Sequence, residues 1–370
     1  MDEIDQSERL IGIKGSRGIG KTTFLLSYAK EFFGLNNREC LYVNLNHFFF
    51  TQQTIVEFAR EFLSHGGKTL LLDQVFKYPD WSRELRICYD SFPDLKIIFT
   101  GPAVMRLSVE NPDLAGKVAI YQLRGFSFRE YLNLTCNKRF PTFQLKDILQ
   151  NHQQIAAEIT TQMNHKITNC FVDYLHHGFY PFFLDKGNFS ETLIKTMNFT
   201  LEVDVVYIRQ IEQRNLPKLR KLLYLILLEA PCSPNVSQLS KTLDISRATV
   251  MNYIKYLKDA RLFNMLYPAG EDFPKKPSAV YGYNTNLLHA VKHERINPVN
   301  EYKTFFFNQL IKEHIVNTGK NYANFTIDNQ FLFSIKANRF FKNSPRYYYA
   351  TNIDAGEGNV IPLWLFGFLY

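Results

Sequence analysis

The sequence is poor in cysteine and has no long apolar run. Its cysteines, Cys40, Cys88, Cys136, Cys170 and Cys232, are odd in number, widely spaced and never form a C-x-x-C pair. That spacing excludes a disulfide framework or a local zinc motif and describes reduced core thiols. No run of about 18 apolar residues occurs, so a membrane-spanning helix is not expected. The opening residues MDEIDQSERL are acidic where a secretory signal would be basic and then apolar. Together these absences predict a cytoplasmic protein with no membrane partner. Internal repeats and low-complexity tracts are missing too.

Aromatic residues, by contrast, are plentiful: 33 Phe and 21 Tyr in a chain of 370 residues that is 46% hydrophobic. Such a composition predicts packed cores rather than disorder, and the length predicts two or three domains. The formal net charge of +8 admits nucleic acid or an acidic surface as partner, although a solvated basic surface is the commoner cause of such a charge.

From Leu10 onward, short apolar runs alternate with amphipathic segments. LIGIK (10–14), CLYVNL (40–45), TLLLD (69–73) and LKIIFTG (95–101) read as strands, with AIYQL (119–123) as a further one. Helices are expected over Thr22 to Phe33, Thr54 to Ser64 and around Trp81 to Phe92. This alternation implies a parallel sheet with helices on both faces, an α/β fold. Residues 144–224 read as mainly helical. Helices over 216–228, 236–243 and 246–260, followed by two short strands (261–268 and 278–283), describe a winged helix-turn-helix. Its third helix offers Arg247, Asn252, Lys255 and Lys258 to phosphates or base edges of DNA, while Val250, Ile254 and Leu257 repeat as core. Such modules serve in protein contacts as readily as in DNA contacts.

Gly15-Ser16-Arg17-Gly18-Ile19-Gly20-Lys21-Thr22 fits G-x-x-x-x-G-K-[ST] without mismatch, after a strand and opening a helix. The glycines let backbone N–H groups turn toward phosphates, aided by the helix N-terminus. Lys21 is expected to reach the β- and γ-phosphates, Thr22 to ligate Mg²⁺, and Thr23 to bond the α-phosphate. Asp73, ending an apolar strand, is the expected second magnesium residue. Gln74 follows, where many ATPases carry Glu. An amide orients water but takes no proton, so binding is better supported than hydrolysis.

The P-loop, together with LLLDQVFKYPDW, KIIFTG, LRGFSFREYL and IPLWLFGFLY, resembles AAA-type ATPases of archaea and Bacteroides-like bacteria. The resemblance covers essentially the whole chain and implies ATP as the nucleotide. It implies an ATPase core over 1–140, a helical lid over 141–215, the winged helix over 216–283 and a PD-(D/E)XK-like α+β domain over 284–370.

Departures from that pattern bear on activity. Gly101-Pro102-Ala103 stands where the family has a polar sensor, and Asn46 stands where it has Asp. Ala115-Gly116-Lys117 keeps only Lys117 at the arginine-finger positions. Lys supplies charge without the planar fork of Arg. In the carboxy-terminal domain, the nuclease positions fall on Lys303, Asn324, Ser334 and Asn338, none acidic, so that domain reads as non-catalytic.

The expected function is an ATP-Mg²⁺-binding switch with slow or partner-dependent hydrolysis. Gln74 and Lys117 are its catalytic candidates, and a protein partner or a second copy its expected company. The alternatives are an ATP-binding or DNA- or protein-binding scaffold without hydrolysis, and an ATPase with an active nuclease domain.

Overall fold

The computed structural model describes residues 4–34, 37–105, 111–185, 187–292, 296–336 and 346–370. The chain divides into two units, Met1–Arg124 and Gly125–Tyr370.

In the first unit strands and helices alternate: β1 (Leu10–Gly15), α1 (Lys21–Phe33), β2 (Cys40–Asn44), α2 (Ile55–Ser64), β3 (Thr69–Asp73), α3 (Trp81–Ser91), β4 (Lys96–Pro102) and β5 (Ala119–Gln122). The strands form one sheet in the order β2-β3-β4-β1-β5, every pair parallel. This is the α/β fold expected from the alternation of strands and helices. β3 is buried at all of its positions, and β4 at all but Lys96. Continuous apolar strands of this kind belong to sheets covered on both faces. Thr54 and Glu57 form a reciprocal capping box at the start of α2. Glu84 of α3 adds a carboxylate there, accepting from the N–H groups of Ile55 (2.6 Å) and Val56 (3.2 Å).

The second unit begins with α4 (Phe128–Thr135), α5 (Leu145–Thr161) and α6 (Ile167–Asp173), which runs into a π-helical turn at Tyr174–Gly178. After α7 (Phe189–Phe199) and a second π-helical turn come α8 (Val206–Ile208), α9 (Leu216–Glu229), α10 (Val236–Leu243) and α11 (Arg247–Asp259). An antiparallel pair follows, β6 (Phe263–Leu266) with β7 (Ala279–Gly282). Then α12 (Thr285–Val291) and α13 (Pro298–Leu310) lead into β8 (Val316–Thr318), β9 (Phe325–Ile327), β10 (Phe331–Ile335), β11 (Tyr347–Thr351) and β12 (Val360–Pro362). These last strands form a mixed sheet, β12-β11-β10-β9-β8, antiparallel among β8, β9 and β10 and parallel from β10 to β12.

A large aromatic core in this unit is built on Phe128, Phe171, Phe305, Phe306, Phe333 and Trp364. It takes in Phe128 and Leu132 of α4. The physical reason is packing: the Phe128 ring lies edge-on to Phe171 (5.2 Å) and to Phe368 (6.1 Å). Phe143 N–H also donates to the Phe368 carbonyl at 2.9 Å.

Candidate nucleotide site

The site is assembled at the C-terminal ends of three adjacent strands. The β4 strand pairs with β3 on one side and β1 on the other, so the P-loop leaving β1 and Asp73 ending β3 lie two strand spacings, about 10 Å, apart. Gly18 and Gly20 take φ of 80° and 91°, in the left-handed region that only glycine enters without strain. Gly15 is required for a different reason: a Cβ there would stand 2.5 Å from the Leu123 carbonyl oxygen. Phe24 N–H donates to the Gly20 carbonyl at 2.8 Å and starts α1. Ser16 and Ile19 are buried, Arg17 half-buried, and Thr22 and Thr23 exposed on the first turn of α1.

Lys21 Nζ donates to the carbonyls of Gly15 (2.9 Å) and Ser16 (2.7 Å), folding its ammonium over the loop. Thr22 Oγ1 donates to Asp73 Oδ2 at 2.8 Å. Residues 51 positions apart in sequence are thereby brought together, and both carry oxygen, the donor type that magnesium prefers.

Asp73 is 2% exposed and held by two further side chains. Tyr42 OH donates to Oδ2 at 3.0 Å, and the Thr100 hydroxyl makes a short bond to Oδ1. Burial, with the Asp73 charge beside it, pushes the Tyr42 hydroxyl up to about 12, so it stays a donor at neutral pH. Thr100 Oγ1 also accepts from the backbone N–H of Gln74 at 3.1 Å. Gln74 itself takes φ 59°, an uncommon left-handed conformation for a residue with a side chain. Sequence reading missed Tyr42 and Thr100. The available signal was positional: Asn44 is level with Asp73, two residues after Tyr42, and Thr100 follows the Phe99 that pairs with Leu72.

Lys117 lies elsewhere. It precedes β5, whose Ala119 is level with Ile11 of β1, and its Nζ sits 5.5 Å from the centroid of the Tyr89 ring. Arg9, just ahead of β1, stacks on the same ring at 4.1 Å. Lys117 is therefore at the opposite end of the sheet from the P-loop of its own chain, about 20 Å away along a six-residue strand.

Beyond β2 and β3 a cavity of about 490 Å³ opens, lined by Asn46, His47, Phe48, Lys77, Asp80 and Glu84 among others. It sits at the carboxyl ends of the strands, where open α/β sheets bind ligands.

The other expected site residues lie in the second unit. On α11, Arg247 and Asn252 are exposed, whereas Lys255 is ion-paired to Asp259, which also meets Arg209 at 3.4 Å. Lys258 is half-buried, and burial beside Lys255 holds its amine below the ordinary lysine range. Among the nuclease positions, Lys303 lies on α13, Asn324 Oδ1 accepts from Ile335 N–H (2.7 Å), and Ser334 Oγ bonds Tyr347 OH (2.8 Å). Asn338 lies outside the described residues. Among those described, Asp328 is turned to His314 (2.7 Å) and the Ile315 N–H (2.9 Å). No helix among the described residues is long and apolar enough to cross a membrane.

Comparison with known proteins agrees with the loop geometry. Residues 7–132 match a family described as an AAA domain, and residues 168–293 match a domain of unknown function, DUF8612. The Methanocaldococcus jannaschii protein described as uncharacterized protein MJ1637 is 27% identical over 282 residues. That match takes in 72% of this chain but 58% of the relative, so the chain spans under two thirds of the relative's length. A solved structure of the Aeropyrum pernix Orc1 protein in complex with DNA shows 12% identity over 77% of this chain and 86% of its own. Its TM-score of 0.30 is too low to inform fold or partners here. Over residues 7–132 the chain is similar to AAA domains, and its P-loop, with Gly18 and Gly20 left-handed, lies within that span.

Proposed function

We propose that the first unit binds ATP with Mg²⁺ and acts as a nucleotide-gated switch with little turnover of its own. The observation that carries this reading is the Thr22–Asp73 pair beside a loop whose Gly18 and Gly20 are left-handed. Thr22 and Asp73 would hold the ion, Asp73 through water, and the N–H groups of Gly15 to Thr22 would face the phosphates. Lys21 would exchange the Gly15 and Ser16 carbonyls for β- and γ-phosphate oxygens, and Thr23 would bond the α-phosphate. A magnesium-bound triphosphate supplies the charge these groups neutralise.

Low turnover follows from what surrounds the site. Gln74 orients water but accepts no proton, and Lys117 lies at the far end of its own sheet. The Gly101-Pro102-Ala103 segment brings no polar side chain to the γ-phosphate end.

In the second unit, α9, α10, α11 and the β6–β7 pair support reading a winged helix. Contact with DNA there rests on Arg247 and Asn252, because Lys255 is already neutralised by Asp259. A protein partner or second copy is therefore the better-supported recipient of the nucleotide signal. We read the carboxy-terminal mixed sheet as a PD-(D/E)XK-like domain without catalysis, since its matched positions are Lys303, Asn324 and Ser334.

The test is calorimetric titration with ATP and Mg²⁺, beside phosphate release, on the chain and on Lys21→Ala. Lys21-dependent binding with slow or absent release is expected. Rapid Lys21-dependent release would replace the switch with a working ATPase, and absence of ATP binding would overturn the reading altogether.

A further inference from the structure

The second unit contains a group of side chains that the nucleotide reading does not use. His176, His289 and Glu301 each direct one potential ligand atom into a common space, all within 4.8 Å of one another. The His289 Nε2 and Glu301 Oε1 atoms are 2.5 Å apart, and the rings of His176 and His289 lie 3.8 Å apart between centroids. We propose that these three residues bind one divalent transition metal ion of the zinc class.

Two imidazoles and a carboxylate are a donor set that zinc and other first-row ions accept. Bonds of about 2.0–2.2 Å put ligand atoms roughly 3.3 Å apart around a tetrahedral ion. Reaching that geometry requires His289 and Glu301 to part by under an ångström and His176 to close by no more than about 1.5 Å, movements within side-chain rotation. Glu301 is buried, while the His289 side chain is 23% exposed and His176 half-buried. The group thus has an opening to water through which an ion enters, leaving a fourth position for solvent.

The backbone around the group is fixed independently of any metal. His176 sits in the π-helical turn Tyr174–Gly178, a wide turn that recurs at functional positions in helices. Asn286, one helical turn before His289, donates to the carbonyls of Tyr174 (3.3 Å) and Leu175 (2.8 Å) and accepts from Phe179 N–H (3.0 Å). Thr285 Oγ1 donates to the Leu175 carbonyl at 2.5 Å. The π-helical turn and α12 are therefore bolted together on both sides of His176, and α13 supplies Glu301 against them. Pre-positioned ligands of this kind lose little freedom on binding an ion. A bound ion would clip the turn, α12 and α13 into one body.

The test uses the full chain, nucleotide-free, with Zn²⁺ titrated calorimetrically and Co²⁺ as a spectroscopic stand-in. One equivalent of Zn²⁺ is expected to bind with micromolar or tighter affinity and to raise the melting temperature. Co²⁺ should give visible d–d bands without thiolate charge transfer, which separates this site from the cysteines. His176→Asn and Glu301→Gln should each weaken binding at least tenfold, while Asp73→Asn, at the magnesium position, should leave it unchanged. Thiolate charge transfer, binding unaffected by both ligand variants, or no binding by the wild-type chain would each overturn the proposal. In the last case the trio is a hydrogen-bonded His–Glu pair with a stacked imidazole. The wild-type spectrum and melting shift decide the matter even if a variant fails to fold.

Discussion

A Cβ built on Gly367 would stand 2.5 Å from the Cβ of Phe128, although the two residues are far apart in the chain. The segments around them, FSFREYL and LWLFGF, close on one another in the core of the second unit. Arg129 donates to the Tyr370 carbonyl at 3.1 Å and to the Phe140 carbonyl at 3.3 Å, tying the two segments at their edge. Because Phe128 is fully buried, its Cβ has little room to retreat. Gly367→Ala should therefore destabilise the second unit by about 1–3 kcal/mol through overpacking. Urea denaturation followed by tryptophan fluorescence reads this, since Trp364 lies in the same core. An unchanged midpoint would mean that the contact relaxes.

The same pair marks what sequence could and could not supply. The strand–P-loop–helix run from Leu10 to Phe33 was legible because its signals are local: an apolar run, left-handed glycines and an amphipathic helix. Asp73 was legible as the polar end of a buried strand. Tyr42 and Thr100 were not, because their role depends on strand order: only β4 between β1 and β3 brings Thr100 beside Asp73. Phe128 likewise gains its neighbours Gly367 and Phe368 only in the fold. His176, His289 and Glu301 belong to no motif at all, and only the fold of the second unit assembles them.

Thr100 links Asp73 to the backbone of Gln74, so its hydroxyl serves two partners at once. Thr100→Val keeps the shape but leaves the Gln74 N–H and one Asp73 oxygen without this partner. Loss of a buried hydrogen-bonding group costs about 1–3 kcal/mol. We expect lower stability of that order, together with several-fold weaker magnesium dependence of nucleotide binding. Titration of Mg²⁺ at fixed ATP, beside a denaturant curve, separates the two effects. Normal magnesium affinity in the variant would show that Thr100 supports the fold without positioning the carboxylate.

Lys117 is too far from the P-loop of its own chain to touch a nucleotide held there. Lys117→Ala should leave ATP affinity within twofold of wild type. If Lys117 contributes to hydrolysis it does so on a second copy, so any Lys117-dependent turnover must rise per molecule with protein concentration. Phosphate release measured across a hundredfold range of concentration checks this. Lys117-dependent turnover that is independent of concentration would place the lysine at its own site and contradict the observed position.

His152 on α5 gives the fold a defined acid sensitivity. It is buried with neither ring nitrogen hydrogen-bonded, and burial holds its imidazole below the ordinary range. The unfolded chain protonates this ring near the ordinary value of about 6.5, while the folded chain does so only at lower pH. Between those values the unfolded state binds more protons, so stability falls as pH drops below about 6.5. Under the folded value both states are protonated and the loss levels off; above 7 no stability is lost on this account. His176, lowered by burial and by His289 beside it, contributes with the same sign. His152→Leu, which removes the titrating group at similar volume, should therefore lessen the decline between pH 7 and 5 without abolishing it. Denaturation midpoints across that interval for both proteins provide the check. Parallel curves would show that His152 is protonated as readily in the folded chain as in the unfolded one.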